Sequence, residues 1–168
     1  MRARTRTATL LLLLAGMLAA IRAGAAPEIG APAPALKGRL FSGENFDLSK
    51  MRGKVVLVNY FSSYCKHCAY EIGNVETYYE DNTDQGLVVI YIGIDRPEDR
   101  GRVERMVGTY NLKGVMLNEL TENGFGEHYP TPTAFVIDRE GIVRSKQWGS
   151  KTPLYFRNYV EPVLNNAR

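Results

Sequence analysis

VVLVNYFSSYCKHCAYEIGNVETYYE, residues 55–80, holds both cysteines of the chain, Cys65 and Cys68. Its first part extends a valine-rich, near-continuous apolar run over residues 53–61. That pattern predicts a central strand buried on both faces. From Cys65 the period changes. Cys68, Ile72, Val75 and Tyr79 fall at i, i+4, i+7 and i+11, the stripe of a helix that Gly86 ends. The two sulfurs therefore sit where a strand hands over to a helix.

That junction has a chemical use. A thiolate is the nucleophile of disulfide exchange, and the partial positive charge at a helix N-terminus favours it. Three-residue spacing over a first helical turn places the two Cα atoms about 5–6 Å apart, within disulfide range. Cys65, at the tip, is the expected attacking sulfur, and Cys68, one turn in, the expected resolving one. Lys66 and His67 bring positive charge, or a donor, beside Cys65. Both stabilise the reduced form and make the disulfide more oxidising than a neutral dipeptide would.

Other readings of the pair stay open. A structural zinc site needs about four ligands, and the only histidines to join two cysteines are His67 and His128. Cu(I) capture by the two thiolates is chemically allowed. A peroxidatic cysteine would want Ser or Thr three residues earlier, which Ser62 supplies, and a preceding loop proline, which the strand before it lacks.

The N-terminus predicts export. Arg2, Arg4 and Arg6 precede an uncharged apolar run over residues 8–21, and Ala23, Gly24 and Ala25 supply a small-residue cleavage site. The run is shorter than the roughly 17–25 residues of a membrane span, and Arg22 closes it. The expectation is a cleaved signal over residues 1–25 and one domain over residues 26–168, an uncleaved anchor being the alternative. No cysteine stands directly after the run and no arginine pair precedes it, so neither a lipid anchor nor twin-arginine export is expected. The whole chain has 21 Lys and Arg against 18 Asp and Glu, a formal +3; without four signal arginines the balance is 17 against 18. No nucleic-acid footprint remains. A 143-residue domain can build a core without staples. A disulfide closing so short a loop adds little stability, so the cysteines are there for reactivity.

Elsewhere, residues 36–49 read as a short hairpin turning at SGEN, and residues 87–95 as a second buried strand. Pro97 begins a helix that carries Val103, Met106, Val107 and Tyr110 inward. Residues 114–118 suggest a short strand and residues 119–129 a short helix or loop. Residues 133–138 and 141–148 flank a tight turn as an antiparallel hairpin, and a closing helix from Thr152 is loosened late by Pro162. The class is α/β, a mixed sheet with helices on both faces.

GKVVLVNYFSSYCKHCAYE followed much later by TPTAFVIDREGIV resembles the thioredoxin fold, and within it the TlpA/ResA-like (redoxin) branch of exported thiol:disulfide oxidoreductases. The likeness runs from about Ile29 to the C-terminus and includes an N-terminal β-hairpin extension and an inserted helix. It implies Cys65 as nucleophile, Cys68 as resolving cysteine, and Pro132 as a cis-proline whose neighbour Thr131 offers backbone to substrate, with Tyr64 beside the motif. It implies that Glu71 moves protons to and from the thiols, against the alternative of a solvated helix-face glutamate. Tyr64 stands where the family has Trp, and His67 and Gly73 where it often has Pro; a straighter helix is expected after Gly73. His128 is expected near the cis-proline loop, and Tyr78, Tyr79 and Trp148 as core or rim aromatics. The implied partners are periplasmic proteins with cysteine pairs and a membrane electron carrier. A monomer without cofactor or metal is expected, most often acting as reductant in cytochrome c or copper-site maturation, with a disulfide-forming oxidase as the second direction.

Overall fold

The computed structural model describes residues 27–127 and 129–166; the expected signal, its cleavage site and His128 lie outside them. The valine run is β3, Val55–Phe61, buried at every position. It lies at the centre of a five-stranded sheet ordered β5-β4-β3-β7-β8. β4 (Leu87–Gly93) and β5 (Lys113–Met116) continue parallel to it on one side. β7 (Thr133–Ile137) and β8 (Val143–Trp148) run antiparallel on the other. The sequence places each of these strands to within two or three residues.

Three helices accompany the sheet. α1 spans Lys66–Asn82, and after a 3-10 turn Gly86, at φ +87°, ends the run in the left-handed conformation that glycine takes without a Cβ penalty. α2 spans Arg100–Thr109. α3 covers residues 153–164, opening at the Thr152 cap and widening into a π stretch over Phe156–Val160 just ahead of Pro162. The proline has no N–H to offer the carbonyl four residues back, which is why the helix loosens there.

The helices do not lie on both faces. Buried side chains of all three, including Ile72, Val75, Val103, Val107, Phe156 and Val160, share one cluster with Val55, Leu57, Phe61, Val89, Tyr91 and Val136. The chain moves from β3 to β4 to β5 in one direction across the sheet, and right-handed crossovers then put α1 and α2 on the same side. α2 sits close there: a Cβ on Gly93 would meet Val103 Cγ1 at 2.5 Å.

The opposite face is covered by a small second sheet. β1 (Leu36–Arg39) and β2 (Asn45–Asp47) form the expected hairpin, and residues 120–123, expected as helix or loop, add a third strand, β6 (Leu120–Asn123), against β1. Leu36, Leu40, Phe46 and Leu48 pack there on Val56, Val58, Tyr60 and Ile90. β6 alternates too little to announce itself; its exposed Thr121 and Glu122 read as loop until β1 offers a free edge. The chain thus has the expected mixed α/β sheet flanked by helices, together with the N-terminal hairpin extension and the inserted helix. Among the described residues no helix is long and apolar enough to cross a membrane.

Candidate active site

The turn between β3 and α1 is built to hold one sulfur at its tip. Asp95, just past β4, accepts from the Ser63 N–H at 3.0 and 3.1 Å, from Ser63 Oγ at 2.6 Å and from Ser62 Oγ at 3.3 Å. Arg102 donates to the Ser63 carbonyl at 3.3 Å. Tyr64 is exposed and turns towards α2 rather than over the cysteines: its hydroxyl donates to Asp99 at 2.8 Å and Arg102 lies over its ring.

Cys65 follows as the N-cap of α1. Its Sγ accepts from the Cys68 N–H at 3.2 Å, occupying one of the donors a helix start leaves free. Its Sγ also lies 3.6 Å from the Thr131 carbonyl, to which the thiol donates. The Thr131–Pro132 peptide is cis, as expected. Cys65 is half-buried and Cys68 fully buried, both as free thiols. Lys66 and His67 are exposed, and among the described residues no hydrogen bond joins either side chain to Cys65.

Burial pushes the Cys68 thiol far above its ordinary range, and its hydrogen bond with Cys65 and the charges of Cys65 and Glu71 push the same way. This fixes a pH dependence. The folded reduced protein keeps the Cys68 proton while the unfolded chain releases it above about pH 9, so stability is present below that value and lost as pH rises through it. Denaturant titrations should show the reduced protein losing about 1.4 kcal/mol per pH unit there. The oxidised protein, with no Cys68 thiol, should lose stability only past pH 10.0, where buried Tyr60 would ionise on unfolding. Parallel curves for the two redox forms would contradict the assignment.

Glu71 is not a solvated helix-face residue. It is fully buried one turn beyond Cys68, and its oxygens accept from Asn59 Nδ2 at 2.7 Å and from the Lys151 N–H at 2.8 Å. Burial raises its pKa, against the pull of Lys151 and Asn59. Sequence reasoning missed both partners. Asn59 had a visible signal, the one amide in an otherwise apolar strand. Lys151, in the turn after β8, had none.

Of the remaining aromatics, Tyr78 stacks on Phe156 at 4.1 Å between ring centroids, while Trp148 stands exposed at the end of β8, beside the strand that starts at Thr133. Among the described residues no three His, Cys, Asp or Glu side chains are grouped to hold a metal ion.

Known proteins are similar to this chain in sequence and in fold. The AhpC/TSA family model matches residues 29–146. Thiol-disulfide oxidoreductase ResA of Bacillus cereus is 27% identical over 138 residues, covering 81% of this chain and 79% of the relative. ResA of Geobacillus thermodenitrificans is 27% identical over 166 residues, 94% of each chain. A thioredoxin-family thiol:disulfide interchange protein of Chlorobium tepidum superposes with a TM-score of 0.68 at 25% identity, over 84% of this chain and 99% of that one.

Proposed function

Since the chain belongs to the AhpC/TSA family, we propose that it is a thiol:disulfide oxidoreductase that reduces cystines of exported proteins through its Cys65-Lys66-His67-Cys68 dithiol. The observation that carries this reading is a half-exposed sulfur at a helix tip with a buried, protonated partner one turn in.

Cys65 Sγ attacks one sulfur of the substrate disulfide. A new S–S bond joins Cys65 to the substrate, and the other substrate sulfur leaves as a thiolate and takes a proton. Cys68 then gives up its proton, for which Glu71 is the nearby base, and attacks Cys65 Sγ. The second substrate thiol leaves and the Cys65–Cys68 disulfide remains. Two electrons have passed from the protein dithiol to the substrate. The Thr131 backbone beside Cys65 is placed to orient the incoming chain. Lys66 and His67, being exposed, act on the dithiol through a screened field only.

The names of the ResA relatives support the activity class. The signal expected over residues 1–25 supports work in the periplasm, with a membrane electron carrier returning the two electrons. A peroxidase reading is disfavoured, since Ser62 Oγ is engaged by Asp95 and the Tyr64 N–H, not by Cys65.

The test is insulin reduction by the mature protein with dithiothreitol as electron donor, alongside titration with Cu(I). Accelerated precipitation of the insulin B chain is expected. Stoichiometric, tight copper binding without disulfide exchange would replace the reading with that of a copper carrier.

A further inference from the structure

One buried charge has no part in the steps above. Lys151 lies in the turn between β8 and α3 with no solvent exposure. Its ammonium donates to the Gly149 carbonyl at 2.7 Å and to the Pro132 carbonyl at 3.3 Å, and stands 3.8 Å from Glu71 Oε2. Its own N–H donates to that same carboxylate oxygen. A buried ammonium is costly unless several acceptors converge on it, and an apolar side chain of like volume commonly serves stability as well or better. Packing alone therefore gives no reason for a cation here, whereas the position of its acceptors does. They are the carboxylate one turn from Cys68 and the backbone next to Thr131.

We propose that Lys151 is a positioning residue that keeps Glu71 ionised near Cys68 and ties that carboxylate to the substrate-facing loop through the Pro132 carbonyl. The inference rests on the thiol–disulfide reading of the same site. The groups facing Glu71 are Asn59 from β3, Cys68 from α1, Tyr91 from β4, Tyr155 from α3 and Lys151. Lys151 is the cation among them; burial lowers its pKa, and the charge of Glu71 is the largest force holding its proton on. Among the described residues the Asn59 Oδ1, Tyr91 and Tyr155 oxygens have no hydrogen-bond partner, and none of them offers Glu71 charge compensation. Of the forces opposing the rise that burial imposes on Glu71, the charge of Lys151 is the largest. Without it the carboxyl holds its proton to higher pH, and a protonated Glu71 cannot accept the proton of Cys68.

The test uses the mature chain with glutamate carbon-13 labelled at Cδ. Glu71 is titrated in the reduced wild type and in Lys151→Met. Thionitrobenzoate release from a mixed disulfide on Cys65 is timed over the same pH series. In Lys151→Met both the Glu71 titration and the acid limb of the release rate should move up together by about one pH unit or more. In a Glu71→Gln background, Lys151→Met should leave the shape of the pH profile unchanged. If Lys151→Met does not fold, Lys151→Gln, which keeps a polar side chain among the same acceptors but no charge, takes its place, and the same upward movement of the Glu71 titration and of the acid limb is required. A Lys151→Met protein that is merely less stable, with Glu71 titrating as in wild type, overturns the proposal, as does a further profile change in the Glu71→Gln background. A wild type that exchanges no disulfides sinks the parent reading instead, while the carboxyl titration still reports the hold of Lys151 on Glu71.

Discussion

Replacing Cys65 with serine should reduce disulfide exchange to background while leaving the fold in place. A serine hydroxyl keeps its proton near neutral pH and makes no disulfide. Serine is also a favoured helix N-cap, so the bond that Cys65 Sγ accepts from the Cys68 N–H has a ready substitute. The melting temperature should therefore change little. Cys68 cannot take over, because it is fully buried and burial holds its proton. Insulin reduction at matched protein concentration is the readout. Retained exchange would move the attack to Cys68 and reverse the assignment of the two sulfurs.

Cys68→Ala should give the opposite failure. The first attack survives and release does not, so the protein accumulates as a mixed disulfide with its substrate. Non-reducing electrophoresis of extracts from cells that export the variant should show Cys65-linked adducts that a reductant dissolves. Loss of the buried sulfur should cost about 1–2 kcal/mol, too little to explain the change in turnover. Recovering the trapped proteins would identify the substrates. Their redox state in cells lacking this chain would give the direction of electron flow: more oxidised if it is a reductant, more reduced if it is an oxidase. Absence of adducts from a folded, exported variant would mean that no mixed disulfide forms on Cys65.

The parts of the fold that sequence revealed are those in which one segment determines its own state. β3 and β4 announce themselves because strands buried on both faces must be apolar at every position. The start of α1 is marked by the change of period at Cys65. The missed parts depend on distant partners. β6 exists because β1, far earlier in the chain, has an open edge. The placement of α1 and α2 on one face follows from strand order, and that of α3 from its packing in the same cluster, neither of which a local pattern encodes. The same holds within the site. Cys65, Cys68 and Pro132 could be found from spacing and resemblance, and the buried state of Glu71 follows from which face of α1 meets the sheet. Lys151 reads as a surface lysine in a turn and becomes part of the site only when β8 and α3 enclose it.

Everything proposed for this dithiol depends on unequal access to its two sulfurs. Brief treatment of the native, reduced protein with iodoacetamide, followed by peptide mass mapping, measures that inequality directly. The label should appear on Cys65 first, with Cys68 modified only after unfolding in denaturant. Equal labelling of the two in the folded protein, or a Cys65 that resists the reagent until the chain unfolds, would contradict it.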